Sequence, residues 1–182
     1  MTLLLDVSRF RSGTDHLDRT YEPSAFAIPA DDFRLTAPAH LVADLTKDAK
    51  KFRLTGRLTS ALELGCSRCL EPFTIPIDAA LDVLYLPEGA AAPGGGHRED
   101  DDDEEVAEDD FGVSYYKDDE IDLGELMREQ FYLALPMKPL CNADCQGLCP
   151  TCGINRNRDT CGCTNTWVDP RMDALKKFRG EG

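Results

Sequence analysis

The chain has 182 residues, of which 42% are hydrophobic, and its formal net charge at pH 7 is −14. This length suits one domain of ordinary size with an apolar core. No apolar run approaches the roughly 20 residues that a helix needs to cross a bilayer, which argues against a transmembrane helix. The first residues, MTLLLDVSRF, have no basic segment before their short apolar run. We therefore expect a first strand there, no secretory signal, and a cytoplasmic protein.

Apolar and polar residues alternate over much of the first half of the chain, and this pattern predicts β-strands. Residues 31–66 contain several such segments, with turn-forming residues at Lys47-Asp48 and Gly56. Residues 73–87 predict another strand, in which Pro76 indicates an edge position or a bulge, because proline has no N–H to donate to a neighbouring strand. We expect an antiparallel sheet, able to curl into a half-barrel, whose neighbouring strands are joined by hairpins.

Residues 88–112 predict a flexible acidic insert. The run EDDDDEEVAEDD, from Glu99 to Asp110, carries ten carboxylates and no basic residue, and it follows the glycine-rich stretch GAAAPGGG. Such a composition is unlike that of a packed segment. Two interpretations stay open: a solvated loop that aids solubility, or an electrostatic attractant for a basic partner such as a ribosomal protein. The insert would repel nucleic acid.

After the insert, residues 113–123 predict a further short strand, and residues 122–135 predict a helix. Asp122 suits the N-cap, Glu125 follows three residues later, and Pro136 ends the helix. A second, short helix is expected to begin at Asp169-Pro170. The stripe of the first helix that we expect to pack on the sheet consists of Leu123, Leu126, Met127, Gln130, Leu133 and Ala134.

The chain has eight cysteines, six of them between Cys141 and Cys163. Disulfides are typical of small secreted chains, and a redox couple needs one reactive Cys-x-x-Cys at a helix N-terminus. Neither description fits this chain, whereas closely spaced thiolates beside glycines suit tight turns around a tetrahedral metal ion. The four close pairs are Cys66 and Cys69, Cys141 and Cys145, Cys149 and Cys152, and Cys161 and Cys163.

Eight sulfurs suffice for two zinc ions with four thiolates each, and such closed sites are structural and not hydrolytic. We predict one site formed by local sequence alone, from Cys149, Cys152, Cys161 and Cys163. The other site would join distant segments and fasten the C-terminal part of the chain to the sheet. Its ligands would be Cys66, Cys69, Cys141 and Cys145.

Four segments of the chain together resemble the YceD-like family, whose members are also called large ribosomal RNA subunit accumulation proteins. In chain order they are GCSRCLEPF, EQFYLALPMKPLC, CQGLCPTCGINRN with a later CGC, and DPRMDALKKF. The resemblance leaves out the acidic insert. It implies a non-enzymatic bacterial factor needed for normal levels of large-subunit ribosomal RNA, and it carries over no catalytic residue. Some members lack the later cysteine pairs, so zinc is argued here from this chain's own spacing.

Two kinds of partner stay open: large-subunit ribosomal RNA or its precursor, and a basic ribosomal protein bound in a chaperone-like way without RNA contact. Zinc knuckles bind single strands, and Trp167 could stack on a base. Trp167 is equally well explained as an apolar plug of the zinc lobe, and Asn155 and Asn157 as residues that cap turns. The candidate contact residues are Arg156, Arg158, Trp167, Arg171, Lys176, Lys177 and Arg179.

An enzyme is not expected, because the three histidines, His16, His40 and His97, stand in no metal-ligand or triad motif and no phosphate-binding loop is present. We also expect neither a small-molecule substrate nor a membrane partner. The sequence predicts an α+β fold: a mainly antiparallel sheet or half-barrel with one packed helix and a C-terminal zinc-knuckle lobe. Residues 1–139 would form the β domain, and residues 140–182 the cysteine-rich lobe with its short helix.

Overall fold

The computed structural model of the protein describes residues 3–10, 13–29, 33–90, 112–163 and 171. Most of the predicted acidic insert and the predicted second helix lie outside these residues. The elements found within them are β1 (Leu4–Asp6), β2 (Gly13–Tyr21), a 3-10 turn (Pro23–Ala25), β3 (Arg34–Leu35), β4 (Ala39–Asp48), β5 (Lys51–Gly65), β6 (Pro72–Pro87), β7 (Val113–Tyr116), β8 (Glu120–Asp122) and α1 (Leu123–Leu133).

The main sheet contains β2, β4, β5, β6 and β7 in that order, and β3 pairs with β5 beyond the end of β4. Strands β1 and β8 form a separate two-stranded sheet. The longest hairpin joins β5 and β6, whose pairs run from Phe52 opposite Tyr85 to Gly65 opposite Pro72. Residues 66–71 connect these two strands. The hairpin therefore carries the first two cysteines at its tip.

The sheet is mixed and open, which corrects the expectation of antiparallel neighbours joined by hairpins throughout. Strand β7 lies parallel to β6, with Val113 opposite Leu84 and Tyr116 opposite Pro87. A parallel neighbour requires a long crossover, and residues 88–112 form that connection. Strands β2 and β7 end the sheet on opposite sides, so the sheet does not close into a barrel.

The segment after the crossover, predicted as one strand, contains two. Strands β7 and β8 are separated by a tight turn closed by a bridge between Lys117 and Glu120. Asp118 and Asp119 have positive φ in this turn, at 52° and 58°. Aspartate tolerates the left-handed region better than most residues, which allows Asp118 and Asp119 to form this turn.

Gly56 is not in a turn, and the prediction of a turn there was wrong. It lies inside β5, opposite Ala43 of β4 and Leu81 of β6. A Cβ at this position would clash with the carbonyl oxygen of Val42 and would lie 2.6 Å from the Cβ of Ala43. Glycine is needed here because the neighbouring backbone approaches too closely for any side chain. The turn between β4 and β5 lies at residues 49–50, just after the predicted Lys47-Asp48.

The edge position predicted for Pro76 is confirmed. Pro76 lies opposite Ala61 of β5, and within the described part of the chain residues 72–83 of β6 pair with no second strand. A proline there costs no ladder hydrogen bond and discourages another chain from pairing with this edge.

Helix α1 begins at its predicted N-cap, because the Asp122 carboxylate accepts hydrogen bonds from the N–H groups of Gly124 (2.8 Å) and Glu125 (3.0 Å). Phe131 anchors its buried face, with ring centroids 5.3 Å from Phe26 and 6.4 Å from Phe33. The predicted stripe was wrong at its C-terminal end, since Leu133 is 77% exposed. The residues that α1 buries are Leu123, Gly124, Leu126, Met127 and Phe131.

One face of the sheet forms the apolar core, as the alternation in sequence predicts. Leu41 and Leu45 of β4 and Leu54, Leu58 and Leu62 of β5 are all fully buried there. The opposite face carries charged and polar side chains, several of them paired across strands. Among the helices that the structure describes, none is both long and apolar enough to span a membrane.

Candidate metal centres

The first cysteine cluster, Cys66, Cys69, Cys141 and Cys145, joins the tip of the β5–β6 hairpin to the segment that follows α1. The Sγ atoms of Cys66 and Cys145 lie 3.8 Å apart, and those of Cys69 and Cys141 lie 3.7 Å apart. All four sulfurs lie within 4.8 Å of one another. The Phe73 and Leu140 side chains pack against this cluster. The structure thus brings together residues more than 70 positions apart in sequence.

The second cluster, Cys149, Cys152, Cys161 and Cys163, forms within one short stretch of chain, and its four sulfurs also lie within 4.8 Å of one another. Cys149 is buried, Cys161 is half-buried, and Cys152 and Cys163 are exposed. The grouping of the eight thiols therefore matches the predicted division into one local and one long-range set of four.

The sulfur positions fit a tetrahedral metal ion better than disulfides. A disulfide joins its sulfurs at about 2.05 Å, and all eight cysteines are free. A tetrahedral ion with metal–sulfur distances of about 2.3 Å holds its ligands about 3.8 Å apart. The Sγ pairs Cys69–Cys141 and Cys66–Cys145, at 3.7 and 3.8 Å, match that spacing. Each cluster could hold one ion.

The first knuckle, residues 66–70, turns the hairpin tip so that backbone N–H groups point at a sulfur. The N–H of Leu70 donates to the Cys66 carbonyl, and the N–H of Cys66 donates to the Glu71 carbonyl, both at 2.9 Å. The N–H of Arg68 points at the Cys66 Sγ from 3.5 Å. Leu70 has φ of +62°. This geometry brings both thiols of a Cys-x-x-Cys to the same side of the turn.

The second knuckle, residues 149–153, repeats the first. The N–H of Gly153 donates to the Cys149 carbonyl at 2.9 Å, and the N–H of Cys149 donates to the Ile154 carbonyl at 2.8 Å. Gly153 occupies the position that Leu70 occupies in the first knuckle, with φ of +73°. Two separate stretches of sequence thus fold into the same ligand-presenting turn.

The thiols of the first cluster differ widely in pKa. The backbone N–H of Cys69, with further N–H groups, stabilises the Cys66 thiolate and lowers the pKa of Cys66 to about 6. Burial and the Cys69 sulfur raise the pKa of Cys141 to about 12. The N–H of Glu71 favours a thiolate at Cys69, but burial and the Cys66 sulfur outweigh it and raise the pKa of Cys69. Four thiolates this close together need a cation to be stable.

The second cluster shows the same division. The backbone N–H groups of Cys152 and Thr151 lower the pKa of Cys149 to about 6. A hydrogen bond with Cys152 raises the pKa of Cys163 to about 12. In each cluster, therefore, the first cysteine of the knuckle has a lowered pKa and a cysteine of the other pair has a raised one.

Arg68 and Asn157 support the first cluster, and the sequence reasoning missed both. The Arg68 guanidinium donates from Nη1 to the carbonyls of Cys145 (2.8 Å) and Ala143 (3.2 Å). The Asn157 amide donates from Nδ2 to the Cys145 Sγ at 3.3 Å. An arginine between two cysteines and an asparagine in a cysteine-rich loop are the only sequence features that could have suggested these roles. The predicted turn-capping by asparagine is present as well, since Asn157 N–H donates to Asn155 Oδ1 at 3.0 Å.

The candidate contact residues are only partly described. Arg156, Arg158 and Arg171 are exposed. The Arg158 guanidinium forms an ion pair with Glu71 at 2.7 Å, which links the second cluster's loop to the residue that follows the first knuckle. The other predicted contact residues lie outside the described part of the chain: Trp167, Lys176, Lys177 and Arg179.

Two of the three histidines lie on the exposed face of the sheet, far in sequence from the cysteines. His16 Nδ1 lies 2.8 Å from the Asp44 carboxylate, and His40 Nε2 lies 2.8 Å from that of Asp18. Both pairs bridge β2 and β4. The side chains of His16 and His40 are 62% and 45% exposed. These contacts support the interpretation of His40 as a residue of the strand surface.

Comparison with known proteins places the cysteine clusters inside a family match. The family model described as "Large ribosomal RNA subunit accumulation protein YceD" matches residues 54–179, a range that contains all eight cysteines. No solved structure gives a significant match.

Curated relatives match most of this chain, but only about half of their own length. A Zea mays protein named large ribosomal RNA subunit accumulation protein YCED homolog 1, chloroplastic, is 31% identical over 70% of this chain and 48% of its own length. The protein of that name from Arabidopsis thaliana is 26% identical over 81% of this chain and 50% of its own. An uncharacterised Mycobacterium tuberculosis protein is 31% identical over 70% of this chain and 55% of its own. The chain therefore belongs to the YceD family of large ribosomal RNA subunit accumulation proteins.

Proposed function

We propose that this chain supports the accumulation of large-subunit ribosomal RNA as a factor without enzymatic activity, by binding precursor RNA or a ribosomal protein. The family match over residues 54–179 carries the proposal. Relatives from Zea mays and Arabidopsis thaliana are named for the accumulation of this RNA subunit.

Each cysteine cluster is proposed to bind one zinc ion in a structural role. Four sulfur donors at tetrahedral spacing suit zinc, and a site closed by four thiolates leaves no position for a substrate or an activated water. The exposed His–Asp pairs lie on β2 and β4 and are distant in sequence from the cysteines. Both observations support a binding factor in preference to a hydrolase.

RNA accumulation in cells tests the proposed function directly. Deletion of the gene should lower the ratio of large-subunit to small-subunit ribosomal RNA, and this chain should restore it. A Cys66→Ser/Cys69→Ser variant should fail to restore the ratio, whereas Gln146→Ala should succeed, because among the described residues the Gln146 side chain bonds only to the Asp144 carbonyl. An unchanged ratio after deletion would contradict the proposal.

Direct RNA contact is tested by filter binding to large-subunit RNA over a salt series. If the exposed Arg156 contacts phosphate, Arg156→Ala should weaken binding and flatten its dependence on salt. Arg57→Ala is the matched control, because Arg57 lies on the sheet and pairs with Asp78 at 2.6 Å. Absence of binding at low salt would exclude RNA as the direct partner and leave a protein partner.

A basic protein is the second candidate partner, and the charge distribution favours it. Several cations of the described surface are held by carboxylates: Arg57 by Asp78, Lys117 by Glu88 and Arg158 by Glu71. The whole chain keeps a net charge of −14, which would attract a cationic partner. Deletion of residues 94–110 should then weaken the capture of purified basic ribosomal proteins. Unchanged capture would refute a role for the acidic run in partner binding.

A further inference from the structure

Asn157 belongs to the second cluster by sequence and to the first by contact. It lies between Cys152 and Cys161, yet its Nδ2 donates to the Sγ of Cys145 at 3.3 Å. Its Oδ1 accepts a hydrogen bond from the backbone N–H of Gln146 at 2.7 Å. One amide side chain therefore holds both the sulfur of a first-cluster cysteine and the backbone that follows it.

A short connecting strip, residues 146–149 with residues 154–157, places Asn157 in this position. The N–H of Arg156 donates to the Gly147 carbonyl at 2.9 Å, and the N–H of Cys149 donates to the Ile154 carbonyl at 2.8 Å. The strip starts directly after Cys145 and contains Cys149. It therefore links a sulfur of each cluster through a few hydrogen-bonded residues.

The strip is also fastened to the tip of the β5–β6 hairpin. The N–H of Leu148 donates to the Arg68 carbonyl at 3.1 Å. Gly147, with φ of +68°, lies so close to Arg68 that a Cβ on it would be 2.9 Å from the same carbonyl oxygen. The first knuckle and the strip thus pack as one unit, and a change in the order of the strip reaches the knuckle cysteines and Cys145.

We propose that the two clusters bind metal cooperatively and that Asn157 is the positioning residue that couples them. The inference rests on the proposed metal role of the clusters. Residues 150–163 bury no side chain fully, so apolar packing is too small to order this loop. An ion in the second cluster orders the loop and holds Asn157 against Cys145, and the first cluster then binds its ion without the cost of ordering that contact.

The coupling must be reciprocal, because it is a free energy shared by two binding events. An ion in the first cluster fixes Cys145 and the strip, and through Asn157 it favours the ordered form of the second loop. Hydrogen bonds to metal-binding ligands typically change metal affinity about 10- to 100-fold when lost. We therefore expect a coupling of about tenfold in each direction.

The test is a zinc titration of the full chain in chelator buffers, followed at the amide NMR signals of Ser67 for the first cluster and Thr151 for the second. Emptying the second cluster with Cys161→Ser/Cys163→Ser should weaken zinc binding at the first about tenfold. Cys66→Ser/Cys69→Ser should weaken the second by the same factor. First-cluster affinity within twofold of that of the unaltered chain would overturn the coupling. If the unaltered chain binds no zinc at all, the proposed zinc role is what fails.

Asn157→Asp separates positioning from a merely structural role. Aspartate keeps an acceptor for the Gln146 N–H. It replaces the Nδ2 donor, which reaches the Cys145 sulfur at 3.3 Å and Asn155 Oδ1 at 2.8 Å, with a carboxylate oxygen. It should weaken the first cluster about tenfold or more in the otherwise unaltered chain, and much less once the second cluster has been emptied. Gln146→Ala is the control and should change affinity less than twofold. If Asn157→Asp has no effect on zinc affinity, the coupling does not run through Asn157. Dispersed amide signals from β4 and β5 would show that each variant is folded.

Discussion

At the position after their second cysteine, the two knuckles carry different residues in the same backbone conformation. Leu70 and Gly153 both follow the second cysteine of a Cys-x-x-Cys and both have positive φ, at 62° and 73°. A residue with a Cβ is strained in this region, by roughly 1–2 kcal/mol for the left-handed helical conformation. Leu70 is also 71% exposed, so packing offsets little of this strain. The first knuckle is therefore less stable than the same turn would be with glycine at position 70.

Leu70→Gly should stabilise the metal-bound protein by about 0.5–1 kcal/mol, because relief of strain exceeds the extra chain entropy that glycine loses on folding. The reverse change in the second knuckle, Gly153→Ala, should destabilise its loop by about 1 kcal/mol. Thermal unfolding in excess zinc measures both changes. A loss of stability in Leu70→Gly would show that the leucine side chain makes a contact that outweighs the strain of its backbone.

Zinc affinity should rise steeply with pH. Cys69 and Cys141 have raised pKa values in the metal-free cluster, that of Cys141 reaching about 12, so both are protonated near neutral pH. An ion binds thiolates and must displace these protons, and the metal-free form therefore holds more protons than the bound form. Each proton released adds a factor of ten in affinity per pH unit, so we expect at least about a hundredfold gain between pH 7 and pH 8.

Competition with a chelator of known pH dependence measures this gain, and release of protons into a weakly buffered solution during titration provides an independent count. A flat affinity over this range would mean that all four thiols are already deprotonated before the ion arrives.

At the scale of the elements, the packing of β4 against β5 requires a glycine at position 56. Gly56 lies in the middle strand with partners on both sides, and a Cβ there would meet the backbone of residues 42 and 43. Backbone atoms of two paired strands cannot move aside as the end of a flexible side chain can. The strands must separate locally if any other residue is placed there.

Gly56→Ala should therefore destabilise the sheet by about 2 kcal/mol or more, as overpacking of a well-filled interior does. Gly65→Ala is the matched control in the same strand, because nothing lies within 4 Å of a Cβ built at Gly65. We expect the control to change stability by less than about 0.5 kcal/mol. Urea unfolding followed by far-UV circular dichroism compares the two variants, and equal effects would contradict the close approach seen at Gly56.

The elements also show what the sequence could and could not predict. Alternation predicted strands in the first half of the chain, and Asp122 predicted the start of α1, because both depend on local periodicity and capping. The parallel β7 could not be predicted, since only tertiary packing decides where a chain returns after a long crossover. Gly56 was misinterpreted for the same reason. Both a turn and a close contact between strands can require glycine, and the sequence alone does not distinguish them. The spacing of thiols predicted their grouping, but the contact of Asn157 with Cys145 depends on the fold of the strip between them.

Considered as a whole molecule, the protein combines a sheet with a large apolar core and a cysteine-rich lobe, residues 141–163, that buries few residues. Leucines of β4 and β5 are fully buried in the core of the sheet. In the segment 141–163, the buried residues are Cys145, Gly147 and Cys149. The first cluster joins the two parts, because two of its cysteines lie at the hairpin tip and two lie in the lobe.

Removal of metal by a strong chelator should therefore unfold the lobe and leave the sheet folded. Structural zinc contributes about 10–16 kcal/mol of binding free energy in small zinc-finger peptides, far more than the few apolar contacts of this lobe can replace. Amide signals of residues 141–163 should lose their dispersion, while those of β4, β5 and α1 stay in place. Restoring zinc should recover the original spectrum. If the lobe signals stay dispersed without metal, then hydrogen bonds such as those of Arg68 with Cys145 hold the lobe by themselves, and the clusters need no ion to fold.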